Sequence, residues 1–174
     1  MSAGGPEGGT LAIMAGGNDA AFQRALPVFA PLGRAIRVGS TGSGQMARLA
    51  NQMIVAGTIG LVAEATLFLT VAGADRAVVR DALQGGFADS IILRQNGKRM
   101  QNGNFVPGGT CANQTKVLDN ALSVASALSL NRPIIAQVHA RYRRLMRDLD
   151  GATLDHSALY LELCDLNGKG NAAP

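Results

Sequence analysis

Residues 42–74 read GSGQMARLANQMIVAGTIGLVAEATLFLTVAGA, and their reading decides the fold. The stretch begins like a nucleotide loop, because an apolar segment runs into Gly42-x-Gly44-x-x-Ala47. A dinucleotide fingerprint needs more than glycines. It needs a helix that returns to a second parallel strand with an acid at its end, about 20 residues on. Glu64 has that spacing from Gly44, but it falls in the middle of an unbroken helical pattern with no strand after it. From about Gly44 the segment reads as one helix of roughly 30 residues, some 45 Å long at about 1.5 Å per residue. Ala47, Ala50, Gly57, Gly60 and Ala63 recur at helical spacing and allow close neighbours, and Gly73 ends the run.

Two readings of the glycines at its start remain. One is a tight turn into a helix. The other is a ligand cradle, in which the backbone comes close to a small acid and the helix N-terminus offers unpaired N–H groups. Arg48 and Asn51, three residues apart, share a face near that end. A forked guanidinium suits a carboxylate, and a carboxamide both donates and accepts.

Outward from this helix the pattern is lopsided. On the N-terminal side, TLAIMA (10–15) and RAIRVG (34–39) read as short strands around the helix AAFQRALPVFAPLG. Gly33 is its expected stop, and Pro27 and Pro31 predict kinks or an early end. On the C-terminal side only helices are predicted. Asp75 caps the first, Gly103 closes the second, and NQTKVLDNALSVASALSL is the third, with Leu118, Leu122, Ala125 and Leu128 or Ser129 inward. Pro133 opens the fourth, which Gly151 ends, and Asp155 caps the last. The fold class is therefore mainly α: a short βαβ remnant, a long helix and an all-helical domain. The predicted boundaries are 1–42, 43–166 and a disordered tail at 167–174. Two strands and one helix cannot bury both faces of a sheet, so the start reads as the trailing edge of a larger one.

The chain has 174 residues, 47% hydrophobic and 4% aromatic, with a net charge of +4. The bias is mild and basic, and no basic cluster with interleaved aromatics points to nucleic acid. Cys111 and Cys164 lack metal spacing and read as free cytoplasmic thiols, and no metal is expected. The N-terminal MSAGGPEGG is not patterned as a signal peptide. Glu64 within the apolar run predicts a buried helix of a soluble protein, with no membrane partner.

The stretches GGTLAIMAGG, GSGQMARLANQ, AEATLFLTVAGAD, GGFADSIIL, QTKVLDNALSVA and LDHSAL follow one another, and the pattern they belong to covers nearly the whole chain, from Gly8 to Leu163. Together they resemble the C-terminal part of the β-hydroxyacid dehydrogenases, which include 3-hydroxyisobutyrate dehydrogenase and tartronate semialdehyde (2-hydroxy-3-oxopropionate) reductase. The resemblance implies an N-terminal Rossmann domain, of which residues 1–42 are the trailing part. It implies a helical domain like the C-terminal one of 6-phosphogluconate dehydrogenase, interlocked in a homo-oligomer. It also implies NAD or NADP as cofactor and a small hydroxy acid or semialdehyde as substrate.

By the same resemblance, Asn51 is a catalytic position, and Arg48 stands where the family has a catalytic lysine. Gly44 is in the family's substrate-side loop. Gly4 and Gly5 fall near a substrate-binding Ser-Gly-Gly loop whose serine is absent or shifted to Ser2. Phe87 and Ser90 lie in a substrate-side segment, and Lys116 matches a lysine near the cofactor, with Val117 in place of the following acid. Read without the resemblance, Phe87 is core packing, Lys116 a surface lysine, Glu64 a buried structural carboxylate and Arg141 to Asp148 a solvated face. Two functions stay open: a reductase chain completed by a cofactor domain, or a non-catalytic assembly or small-acid-binding module.

Overall fold

A computed structural model describes residues 8–170. They form two compact units that divide between Gln52 and Met53.

The first unit is built on two parallel strands, β1 (Leu11–Gly16) and β2 (Gly33–Gly39), paired from Leu11↔Gly33 to Gly16↔Gly39. Helix α1 (Asp19–Phe29) connects them. Asn18 starts it, its Oδ1 accepting the Ala21 N–H at 2.7 Å, and Pro27 is carried inside the helix, which ends before Pro31. Gly33 opens β2 and does more than stop a helix. At its φ of +151° a Cβ would lie 2.1 Å from the Leu11 carbonyl oxygen, so the strands can pair there only through glycine.

Helix α2 (Ser43–Val71) is unbroken for 29 residues. By length and composition it could cross a membrane, with a mean hydropathy of 1.9 over its most apolar window. Its buried residues are Ala56, Ile59, Gly60, Val62, Ala63, Thr66 and Leu67, the three- and four-residue steps of one inward face. That face belongs to the core of the second unit. At Gly60 a Cβ would stand 3.4 Å from Val138 Cγ2, which shows why small residues recur along α2.

The second unit continues with α3 (Arg76–Ala82), α4 (Ile91–Gln101), α5 (Cys111–Ala127), α6 (Pro133–Asp148) and α7 (Leu159–Leu166). Two single 3₁₀ turns, Gly151–Thr153 and His156–Ala158, lead into α7. Asp75 and Asp155 cap as the sequence predicts, Asp75 Oδ1 accepting from Ala77 N and Val78 N, and Asp155 Oδ1 from Ser157 N. The core gathers Ile59, Leu93, Met100, Leu118, Tyr142, Leu145, Leu159 and Tyr160.

Several expectations are corrected. Glu64 is not buried: its side chain is 57% exposed and pairs with Arg141 at 3.1 Å. The buried carboxylate is Glu162, which receives Arg141 Nε at 2.8 Å and Arg144 Nη1 at 3.1 Å. The arginine run is thus a clamp across α6 and α7, not only a solvated face. Leu128 is exposed and ends α5, and Ser129 turns the chain at a φ of +56°. Residues 167–170, expected to be disordered, close the end of α7, with Asn167 Nδ2 donating to Leu163 O at 2.8 Å and Lys169 N to Cys164 O at 3.0 Å.

Candidate functional site

The first unit holds an open cavity of about 360 Å³ beside the start of α2. Its walls come from β1 (Ala12, Met14, Gly16), the turn at Gly42, and Gly44, Gln45 and Arg48 on α2. Glycines create the space. A Cβ at Gly44 would sit 2.5 Å from the Met14 carbonyl oxygen, and one at Gly16 would sit 2.6 Å from that of Ser40. So Gly44 lets the first turn of α2 lie directly on β1. This is also why the first unit extends into the helix, past the boundary at residue 42 suggested by the sequence. Gly42, at a φ of +93°, accepts the N–H groups of Gln45 and Met46 at 3.0 and 3.2 Å and begins the helix.

Arg48 brings the charge. It is exposed, lines the cavity, and makes no hydrogen bond or ion pair with any described residue. The nearby Arg37 contrasts with it, being held by Asp19 at 3.5 Å and by the Gly17 and Gly39 carbonyls. An unengaged guanidinium at a cavity mouth can grip an incoming carboxylate or carbonyl oxygen. Gln45, one turn before Arg48 on the same helix face, adds a carboxamide to the wall. The sequence reading did not single it out, although its i, i+3 relation to Arg48 was visible. Asn51 is exposed one turn later on α2 and does not line the cavity.

The other proposed site residues belong elsewhere. Gly4 and Gly5 lie outside the described residues. Phe87, Ser90 and Lys116 are in the second unit. Phe87 projects fully into solvent, against its reading as core packing. Ser90 caps α4, its Oγ accepting the Leu93 N–H at 2.9 Å. Lys116 is exposed on α5.

Asp155 organises a second polar cluster. Its buried carboxylate accepts N–H groups of Gly108 and Ser157 at 2.9 and 3.0 Å and the Ser157 hydroxyl at 2.5 Å. Burial alone would raise its pKa, but the bonds from Ser157 and Gly108 outweigh it and hold the carboxyl below its ordinary value. Burial pushes the neighbouring His156 imidazole down and the Cys111 thiol up to about 12, so neither is a charged nucleophile near neutrality. Among the described residues no group of three or more His, Cys, Asp or Glu is placed to hold a metal ion.

Residues 42–163 match the family described as NAD-binding of NADP-dependent 3-hydroxyisobutyrate dehydrogenase. The chain belongs to this family. It is 47% identical over 152 residues to the 2-hydroxy-3-oxopropionate reductase of Escherichia coli K12, covering 87% of this chain and 52% of that protein. A probable 3-hydroxyisobutyrate dehydrogenase of Mycobacterium tuberculosis H37Rv is 28% identical, with 85% and 54% covered. The solved M. tuberculosis 3-hydroxyisobutyrate dehydrogenase with L-serine superposes with a TM-score of 0.81 at 27% identity, covering 91% of this chain and 56% of that one. The chain therefore spans about half the length of the relatives it matches. The mainly α fold with its short parallel strand pair matches the covered part of that solved dehydrogenase.

Among the described residues there is no Rossmann-type pyrophosphate loop. Gly42-x-Gly44 leads into α2, which runs 29 residues with no returning strand. The cavity at Arg48 is at the small end of ligand pockets, on the scale of a small acid.

Proposed function

We propose that this chain supplies the substrate-side half of an NAD(P)-dependent reductase that converts a small semialdehyde to a hydroxy acid, of the 2-hydroxy-3-oxopropionate or 3-hydroxyisobutyrate type. The observation that carries it is Arg48, a guanidinium with no hydrogen-bond or ion-pair partner among the described residues, on a cavity walled by Gly16, Gly42 and Gly44. Family membership and the 47% identity to a 2-hydroxy-3-oxopropionate reductase supply the substrate class. Arginine keeps its proton, so Arg48 acts by charge and hydrogen bonds on a carboxylate or on the oxygen where negative charge develops, and not as a base. Asn51, one turn away, orients the same ligand. Hydride comes from NAD(P)H, for which the described residues contain no Rossmann cradle. The reading includes a cytoplasmic location, in keeping with a chain that carries only two cysteines.

The test is titration of the purified chain with NADH and NADPH by cofactor fluorescence, beside assays of tartronate semialdehyde reduction by the native chain and its Arg48→Lys variant. Saturable micromolar binding with turnover supports an autonomous reductase. No binding at millimolar cofactor excludes that, and the reading then stands on semialdehyde or hydroxy-acid binding that Arg48→Met abolishes. If the native chain binds neither cofactor nor acid, the proposal fails.

A second reading, assembly without redox chemistry, rests on a different observation. Ile54, Leu61 and Phe68 are exposed along α2 at seven-residue intervals. Such a seam fits a second helix, and a second copy of this chain is its proposed occupant.

A further inference from the structure

The chain carries three Asn-Gly pairs, Asn96-Gly97, Asn102-Gly103 and Asn167-Gly168. In such a pair the glycine nitrogen, with no side chain beside it, has an open approach to the carboxamide carbon of the asparagine. The pairs are alike in sequence, but the structure holds them differently. Asn96 and Gly97 are buried inside α4, where helix fixes the backbone on both sides. Asn102 and Asn167 are matched helix ends. Each is exposed, each ends its helix (α4 and α7), and each is followed by a left-handed glycine, at φ of +61° and +60°.

These two ends differ in how the reacting atoms are tied. Asn167 Nδ2 donates to Leu163 O at 2.8 Å, which fastens the carboxamide to α7. The Gly168 N–H donates to Asp165 O at 3.0 Å. The Asn102 carboxamide makes no hydrogen bond with any described residue. The Gly103 N–H reaches Met100 O only at 3.4 Å, longer than an ordinary N–H···O bond. Of the three pairs, only Asn102-Gly103 leaves both the nucleophile and the electrophile loosely held.

We propose that Asn102 is a site of spontaneous deamidation, and that its conversion loosens the loop that follows. The Gly103 nitrogen gives up its proton and bonds to Asn102 Cγ. The Cγ–Nδ2 bond breaks, ammonia leaves, and a five-membered imide remains. Water then opens the ring at either carbonyl, giving an aspartyl or an isoaspartyl residue. One water enters and one ammonia departs, with nothing oxidised or reduced. Either product puts a carboxylate at the negative end of the α4 dipole. The isoaspartyl form also runs the main chain through Cβ and Cγ and so lengthens it. The cap bonds from the Gly103 and Asn104 N–H groups to Met100 O and Arg99 O cannot then keep their spacing. Just beyond them, Phe105 O accepts the Asp155 N–H at 2.9 Å, Arg99 Nη1 donates to Val106 O at 2.6 Å, and the Gly108 N–H donates to Asp155 Oδ2 at 2.9 Å. This strap is what the conversion frees. No residue of the Arg48 cavity takes part, so the inference does not depend on the reductase reading.

The test ages the purified full-length chain in mildly alkaline buffer and maps it with trypsin beside an unaged control. Cleavage after Arg94, Arg99 and Arg147 places the three pairs on separate peptides. A mass gain of about 1 Da, located by fragment ions, marks each conversion. In the folded chain position 102 should convert at least about tenfold faster than position 96 or 167, and in urea all three should convert at similar rates. Hydrogen exchange at the Gly108 and Gly109 amides should quicken in the aged chain. It should stay slow in aged Asn102→Gln, whose longer side chain closes a ring far more slowly. If that variant does not fold, the ranking of rates still stands on the native chain alone. Conversion first at position 96 or 167, equal rates in the folded chain, or no conversion at 102 would overturn the site. Unchanged exchange in a chain converted at 102 would overturn the loosening.

Discussion

Two glutamates illustrate how far a single residue's role depends on its partners. Glu64 and Glu162 are both acids on apolar helices, yet only Glu162 is buried, at 1% side-chain exposure. It is tolerated there because Arg141 and Arg144 neutralise it from α6 and bind it with two charge-assisted hydrogen bonds. Glu162→Gln removes the buried carboxylate that the two guanidiniums share, leaving Arg141 with Glu64 and Arg144 with Asp165, and should cost roughly 2 kcal/mol. Glu64→Gln, on an exposed pair, should cost about 1 kcal/mol or less. Urea unfolding midpoints of the two variants check the contrast, and equal shifts would mean that the clamp does not depend on burial. Gly44 makes a sharper case. With its Cβ 2.5 Å from the Met14 carbonyl oxygen, Gly44→Ala must push α2 off β1. The expected result is loss of acid binding at Arg48 together with a lower melting temperature, read by calorimetry and ligand titration on one sample.

Among the elements, α2 has two faces with different duties. The inner face, Ala56, Ile59, Ala63 and Leu67, is fixed in the core of the second unit. The outer seam of Ile54, Leu61 and Phe68 is apolar and exposed. The two faces predict opposite phenotypes for the same substitution. Leu61→Lys should leave the helical circular dichroism unchanged and lower the sedimentation mass from oligomer to monomer. Ile59→Lys should unfold the chain, since it places an unpaired ammonium where no carboxylate waits. A native chain that is monomeric at every concentration would remove the assembly reading. The length of α2 was legible in the sequence, because glycine and alanine at helical spacing with no internal proline leave no place to break it. Its outer seam was not singled out, because periodicity marks apolar positions without saying which have a neighbour.

Over the whole molecule, acid stability should fall in two stages. Buried His156 is held below its ordinary value of 6.5, so the unfolded chain takes up its proton first. Stability therefore declines as pH drops below about 6.5, until the folded-state value is passed. Asp155 is held below 3.8 by the Ser157 and Gly108 hydrogen bonds, and it contributes stability that is present above that value and lost as pH falls through its folded pKa. Thermal melts across pH should show both declines. His156→Gln should flatten the upper one, and Asp155→Asn the lower one. An unchanged profile in both variants would place the acid sensitivity elsewhere. Sequence reading gave Asp155 as a helix cap, and it is one. Its contacts with the Gly108 and Gly109 N–H groups span more than forty residues, and no local pattern announces them.

Local chemistry settled most of the architecture in advance. Asn18, Asp75 and Asp155 cap the helices that follow them because a short side-chain oxygen reaches the next free N–H groups without help from the rest of the fold. The strand pair and the unbroken α2 likewise follow from apolar spacing and from where Gly and Pro fall. Placing Arg48 near the start of α2 needed only its distance from Gly44. Tertiary packing alone decided the charges and the surfaces. It chose Glu162 over Glu64 for burial, drew Arg141 and Arg144 out of an apparently solvated run, and left Phe87 in water. The reason is physical: capping and periodicity act over a few residues, whereas the energy of a charge depends on every group packed around it, most of them distant in sequence.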